Sequence, residues 1–331
     1  MVAFFPKYTS SHASAITQPS VNYETAVDSV KFTILIDNYP NGTLNAPWGL
    51  SIFIETPELT ILFDTGPDPD ALRENAEILG ISLSEIDFVI ISHGHQDHLH
   101  GISHIAELNP NIMVYVPENM NTFCKNMLLS LNTTKVEIGP TYSISDGITI
   151  IGGLYAPINE QALAINVRGL GLIIFVGCSH PGVVNIVQKA EKDLEIRPYA
   201  IFGGFHTLEE DIDAISDLID ELLALNIKKI CPSHCSGDLV RNYLQSNYFS
   251  HYVEVKVGYS TNLVGDVLPT SISTDSTLIS TESSLISTES SLTSIESENS
   301  LSFEVPFILF SLSSILILRV RNKGDKRRFL R

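Results

Sequence analysis

The sequence predicts a mixed α/β fold in which two sheets are sandwiched between helices. Three observations predict it. Strand-like runs come first in clusters and then alternate with helices in each half, the pattern of a layered α/β domain. Asp87-Phe-Val-Ile-Ile-Ser92 is a continuous apolar run of the kind buried on both faces. No GxGxxG or GxxxxGK[ST] segment occurs, so a doubly wound nucleotide-binding fold has no support.

Residues 1–29 are polar and patternless and read as a surface extension, with Val2-Ala-Phe-Phe5 too short for a signal-peptide core. The globular domain is expected over 30–268. Runs at 31–36, 50–54 and 60–63 are β-branched and aromatic and of strand length. Residues 69–79 have helical spacing and stop at Gly80, a residue suited to the left-handed turn that ends a helix. The buried strand at 87–92 follows. Later, 170–176 reads as a second buried strand, 183–194 as a helix after Pro181-Gly182, and 208–225 as another helix. A short strand is expected at Lys229-Ile230.

Composition narrows the function. The 331 residues include 20 Lys or Arg and 38 Asp or Glu, a formal charge of −18. Nucleic acid is excluded as a main partner, because phosphate binding needs a clustered basic surface. Seven of the basic residues lie in 319–331 against the single Asp325, leaving 13 basic and 37 acidic side chains in the rest. Residues 269–302 form a Ser/Thr-rich stalk, expected to be disordered, in which Leu278, Leu285 and Leu292 recur every seven residues. Residues 303–320 are mostly apolar and are expected as a short helix that anchors the protein in a membrane, with 321–331 as a basic tail. The positive-inside rule would put that tail in the cytoplasm and the domain outside. Without an anchor the chain would be cytoplasmic. The side is left open.

The chemistry is concentrated at strand ends. Directly after the apolar strand comes Ser92-His-Gly-His-Gln-Asp-His98. A strand that opens into a turn aims several side chains into one cavity. His93 and His95 can grip one cation, while Asp97 and His98 face a second. Imidazole with carboxylate suits zinc, with manganese or iron as alternatives. His180 and His234 each follow a strand, and His206 follows Ala200-Ile-Phe-Gly-Gly, where glycines let the backbone approach closely. His206 and His234 could otherwise hold a substrate phosphate or act as general acid. Cys178 is either a thiolate ligand or a small buried residue. Cys231 reads as strand-end packing and Cys235 as a pocket residue. His100 and His104 read as loop or helix-face residues, and His12 and His251 have no supporting context. The sequons Asn41-Gly-Thr43 and Asn132-Thr-Thr134 would matter only outside the cell.

These motifs carry a resemblance. Trp48-Gly-Leu-Ser51, Phe63-Asp64-Thr-Gly66, Asn75-Ala76, Leu79-Gly-Ile81, the His93–His98 segment, Gln161-Ala-Leu163, Gly177-Cys-Ser-His180, Gly203-Gly-Phe-His206 and His234-Cys-Ser-Gly237 run in order over about 30–260. Together they resemble the metallo-β-lactamase fold superfamily. Within it, they are most similar to the dihydropterin–aminobenzene ribofuranosyl phosphate synthases of the methanopterin pathway. The resemblance implies an αββα sandwich with the metals at one edge of the sheets. It implies His93, His95, Asp97, His98, His180, His234 and His206 as ligands, and leaves Cys178 open as a further one. Asp64 matches the aspartate that orients the first metal loop, and Asp97 and Asp64 are the candidate catalytic carboxylates. One departure stands out. Where the commonest pattern has Gly-Asp and a separate upstream histidine, this chain has Gly177-Cys178 and Asn159-Glu160-Gln161. A mononuclear site is therefore an alternative to a dinuclear one.

The function expected first is a metal-dependent hydrolase that directs an activated water at a phosphoester, thioester or lactone of an anionic small molecule. The second is the branch-type transfer of a dihydropterin from its diphosphate to an aminobenzene ribofuranosyl phosphate, which the stalk and anchor count against. A non-catalytic surface binding module is the third.

Overall fold

A computed structural model of the protein describes residues 25–265. The stalk, the apolar segment and the basic tail lie outside the described residues. Among those described, no helix is long and apolar enough to cross a membrane.

The first half builds one sheet. Strands β1 (Ser29–Ile36), β2 (Ser51–Glu55) and β3 (Thr60–Phe63) form an antiparallel meander. Helix α1 (Pro69–Leu79) leads to β4 (Phe88–Ile90), and the short α2 (Gln96–Leu99) and α3 (Ile102–Leu108) lead to β5 (Met113–Pro117). Helix α4 (Thr122–Ser130) leads to β6 (Thr134–Ile138), and β3 to β6 all pair in parallel. The second half builds the other sheet. Strands β7 (Tyr142–Ser145), β8 (Ile148–Leu154), β9 (Glu160–Val167) and β10 (Gly171–Val176) pair antiparallel. Helices α5 (Val183–Leu194) and α6 (Ile212–Ala224) then carry the chain to the parallel strands β11 (Pro198–Gly204) and β12 (Lys229–Ser233). After α7 (Gly237–Asn247), β13 (Ser260–Val264) returns to pair with β1. The result is a seven-stranded and a six-stranded mixed sheet, ordered β13-β1-β2-β3-β4-β5-β6 and β12-β11-β10-β9-β8-β7.

Side-chain alternation explains the apolar runs. In β10, Ile173 and Phe175 face the core between the sheets, while Leu172, Ile174 and Val176 face α5, α6 and α7. In β3, Ile61 and Phe63 face inward and Leu62 faces the helices of the first half. Both faces of each sheet are covered, so these strands need no polar positions. Phe32 sits centrally in the inner layer, with ring centroids 5.1 Å from Phe175 and 4.5 Å from Phe202.

Element ends follow their caps. Asp68 caps α1 through the backbone N–H of Asp70, and Gly80 ends it in the left-handed conformation at φ 68°. The helix expected from 208 begins at Ile212, because the Asp211 side chain accepts from Asp213 N and Ala214 N and fixes the start there. The strand expected at Lys229-Ile230 runs on to Ser233, because it pairs with β11 out to Gly204. Before Val30 the chain is already engaged: Val27 bridges to Val167, and Asn166 donates to the Thr25 carbonyl.

Truncating Phe32 to Ala should lower the unfolding free energy by about 3–5 kcal/mol, since the ring is fully buried between two stiff sheets. Denaturant unfolding read by circular dichroism checks this, with the exposed Phe249→Ala as a near-neutral control.

Candidate metal centre

The parallel strands of both sheets end at the same edge, and the loops that leave them meet there. Asp64 follows β3, His93 follows β4, Cys178 follows β10, His206 follows β11 and His234 follows β12. Four of the turning residues are not glycine yet hold a left-handed backbone: Asp64 (φ 57°), Ser179 (φ 64°), His206 (φ 55°) and His234 (φ 48°). Such conformations are costly for ordinary side chains and gather where geometry serves a site. Gly177 lets the two halves touch. A Cβ there would stand 2.1 Å from Ser92 Oγ on the opposite sheet's loop.

Two buried carboxylates organise the edge. Asp64 accepts from Ser92 N, Ser92 Oγ and His98 Nδ1, each at 2.7 Å. Ser92 Oγ in turn lies 2.9 Å from His93 Nδ1. One carboxylate thus fixes two imidazoles, one directly and one through a hydroxyl. Burial pushes the Asp64 carboxyl well upward, against the pull of the Ser92 hydrogen bonds. The ionised form is nevertheless the one that accepts all three donors without reversing any of them. Asp64 is fully buried, so of the two candidate catalytic carboxylates it is the one placed to orient the loop, as the sequence resemblance implied, and not to touch substrate. Glu160, at the start of β9, is the counterpart in the other sheet. It accepts from Cys178 N (2.9 Å), Ser179 N (2.8 Å), His180 N (2.8 Å) and His180 Nδ1 (2.8 Å). Burial works against its charge, but His180, His93 and these donors outweigh it and hold Glu160 near 2.

The donors sort into groups of three whose candidate ligand atoms lie within 4.8 Å of one another. His93, His95 and His180 make one, and Asp97, His98 and His234 make another, while Cys178 groups with His93 and His98 across the two. His93 Nε2 stands 3.1 Å from His95 Nδ1, and His98 Nε2 stands 3.2 Å from His234 Nε2. Asp97 Oδ2 lies 3.3 Å from His234 Nε2 and 3.8 Å from His98 Nε2. Cys178 Sγ is 3.2 Å from His98 Nε2. His206 falls in neither group. It stands with Cys178 and Cys235, its ring 4.7 Å from that of His180.

The chemistry of the donor set fits a cation. His98 Nδ1 donates to Asp64, and His234 Nδ1 donates to Asn38 Oδ1 at 3.0 Å. The Asn38 amide is oriented by its own donation to the His234 carbonyl. With both rings neutral, the two Nε2 atoms and the Asp97 carboxylate are three converging acceptors, an arrangement relieved by positive charge, either a proton held between His234 and Asp97 or a cation. Burial drives His93 well below the ordinary imidazole value, and burial with the neighbouring His234 takes His98 down to about 3. Neutral imidazoles are the ligating form. Burial would raise Asp97, but the hydrogen bond to His234 and the charges of His98 and His234 hold it well below the usual carboxylate range.

Sequence reasoning left two contributors unassigned. Glu160 was noted only as a departure from a common pattern. Its role depends on β9 lying antiparallel beside β10, which no local signal reveals. Trp48 stands with its ring 5.0 Å from that of His234 and is 48% exposed, an aromatic face at the mouth of the site.

Replacing Glu160 by Gln leaves one acceptor oxygen for four donors. Zinc affinity should fall about 10–100-fold, measured by competition with a chromophoric chelator. Unchanged affinity would show that the Cys178–His180 loop holds its shape without the carboxylate.

The site can be set beside known proteins. The model of the metallo-beta-lactamase superfamily matches residues 49–194. The 7,8-dihydropterin-6-methyl-4-(beta-D-ribofuranosyl)-aminobenzene-5'-phosphate synthase of Methanocaldococcus jannaschii is 31% identical over 284 residues, covering 70% of this chain and 96% of that protein. Among solved structures, a metal-dependent hydrolase of the beta-lactamase superfamily shares the fold at a TM-score of 0.62 and 21% identity, covering 72% of this chain and all of that one. A diphosphatase of the PhnP family does so at a TM-score of 0.50 and 15% identity, covering 71% and 97%. The identity to a relative matched along nearly its whole length, on a fold that solved members share, establishes that this protein belongs to the metallo-beta-lactamase superfamily, as an enzyme of that fold with candidate His/Cys metal groups.

Proposed function

We propose that the protein is a metal-dependent transferase that expels diphosphate from a dihydropterin diphosphate and joins the pterin methylene to an aminobenzene ribofuranosyl phosphate. The observation that carries this reading is the 31% identity maintained over 96% of the M. jannaschii synthase. It moves the transfer reaction ahead of the hydrolysis that composition and tail favoured.

In this reading His93, His95 and His180 hold one divalent cation, and Asp97, His98 and His234 hold a second. Zinc is the first expectation, with manganese and iron as alternatives. When bound, such ions supply Lewis-acid charge for phosphate oxygens and acidify nearby water. The chain's own residues do the rest. Asp64 and Glu160 keep the imidazole nitrogens aimed at the cavity. Asp97, whose side chain is 23% exposed, is the anionic group that meets solvent, and it can take up the proton lost from the aminobenzene ring. A cavity of about 310 Å³ opens beside His95, lined by Asn119, Met120, Asn121, Ile158 and Asn159 among others. Among the described residues, none that lines it is a lysine, an arginine or a carboxylate. Amides with apolar walls suit a flat, uncharged ring system, leaving the phosphates to the cations. Trp48 offers a second flat surface next to His234.

The partly exposed carboxylate of Asp97 also favours a second reading, in which water is the acceptor and the protein is a hydrolase of phosphoesters. The C-terminal segment remains proposed as a membrane contact, and nucleic acid is not proposed as a partner.

The metal-loaded protein is expected to release one diphosphate per coupled product when given both substrates. Asp97→Ala should lower kcat about 10²–10⁴-fold, and a chelator should abolish turnover until zinc, manganese or iron is restored. Phosphate release from simple phosphoesters, with no coupling in the presence of the aminobenzene acceptor, would replace the transferase reading by the hydrolase one.

A further inference from the structure

We propose that Cys178, His206 and Cys235 form a sulfur-rich cation site of their own, adjoining the two groups above and suited to a thiophilic divalent ion of the zinc class. The proposal extends the metal-centre reading but stands on two residues, His206 and Cys235, that neither trio uses.

Three different strand ends bring the donors together. Cys178 follows β10, His206 follows β11, and Cys235 lies in the turn between β12 and α7, with the candidate ligand atoms all within 4.8 Å of one another. Both thiols are buried, while His206 is exposed and gives an ion a route in. The backbone makes room for this grouping. A Cβ at Gly204 would stand 2.5 Å from Cys235 Sγ and 2.5 Å from the Gly177 carbonyl, so only glycine lets the end of β11 lie against that thiol. The left-handed backbone of His206, at φ 55°, turns the chain there immediately after Phe205 N donates to Ser236 Oγ at 2.9 Å. Cys235 Sγ also lies 3.6 Å from the Cys178 carbonyl, so the thiol faces the end of β10.

Binding an ion here would release the thiol protons to water, since the thiolate is the ligating form. Two thiolates and one imidazole match the preference of zinc, and three protein donors leave one tetrahedral position open. Cys178 Sγ, 3.2 Å from His98 Nε2, stands on the border with the neighbouring trio, where a thiolate can serve two ions.

The test is cobalt titration of the full-length, reduced, metal-free chain, reading the thiolate-to-cobalt charge-transfer band and bound ions per chain. The wild type should bind about three ions, and Cys235→Ser and His206→Ala should each bind about one fewer. Cys235→Ser should also lose about half of the charge-transfer band, since one of two thiolates is gone. Because His206 is exposed, its variant keeps the test valid even where Cys235→Ser fails to fold. Wild-type stoichiometry and band in both variants would overturn the proposal. His95→Ala separates the two readings. Loss of an ion there, with none lost from Cys235→Ser or His206→Ala, overturns this site and leaves the paired trios standing. The reverse pattern supports this site and overturns theirs.

Discussion

Everything at the functional edge depends on Asp64 remaining an acceptor in the dark. Its carboxylate is fully buried, where an unpaired charge would be prohibitive, and it is offset by three donors at 2.7 Å. Two of those donors belong to Ser92 and one to His98, so the hydrogen bonds that keep the charge tolerable also lock the loop. The proton order follows from that one group. His93 Nδ1 gives to Ser92 Oγ, Ser92 Oγ gives to Asp64, and His98 Nδ1 gives to Asp64. Each imidazole is left with Nε2 as a lone pair towards the cavity. Glu160 performs the same service for His180 from the opposite sheet, using three backbone N–H groups as well as the ring. The two halves of the chain each contribute one buried carboxylate, and the site exists where the loops they hold meet.

This arrangement explains why the sandwich has mixed sheets. Only strands running in parallel place several outgoing loops at one edge, and β3, β4, β10, β11 and β12 supply them. The antiparallel partners β9 and β2 bring their starting ends to the same edge, which delivers Glu160 from one and the Trp48-Gly49 approach from the other. At Gly49 a Cβ would come 2.5 Å from the Asp97 carbonyl, so the approach to β2 is packed directly against the metal loop. Left-handed residues at four strand ends mark the points where the chain must turn sharply to present a side chain. The inner layer of phenylalanines keeps the two sheets at a fixed spacing and so keeps the loops in register.

Much of this was legible in the sequence, and the reason differs by residue. The layered fold could be read because buried strands such as 87–92 and 170–176 lack any polar alternation. The His93–His98 segment could be read because its spacing packs four candidate ligands into six residues after such a strand. His180 and His234 were singled out by the same strand-end rule, and the fold brings both to this edge. Glu160 was invisible as an organiser because a glutamate at a strand start looks like an ordinary surface residue, and only the Cys178–His180 loop, which its carboxylate binds, encloses it. The partition of the donors was equally hidden. Seven ligands were expected around one or two ions, and no spacing indicates that His206 stands apart with Cys178 and Cys235. Strands such as β7 and β13 carried too few apolar residues to be recognised, since both lie at sheet edges and are partly exposed.

Charge balance ties these features together. Asp64, Asp97 and Glu160 all bond to ring nitrogens, and the ion pairs recorded for them among the described residues are with histidines alone. Burial keeps His93 and His98 neutral, so protonated imidazole cannot supply the whole counter-charge. Under the proposed function, two divalent cations against three carboxylates would leave the centre with one net positive charge, enough to draw a phosphorylated substrate to an otherwise acidic protein. Two further thiolates without a further cation would reverse that sign and repel the same substrate. A third ion restores it. The sulfur pair is therefore compatible with anion chemistry at this edge either as protonated thiols or as the ligands of their own cation, and the glycine-cleared packing around Cys235 favours the second.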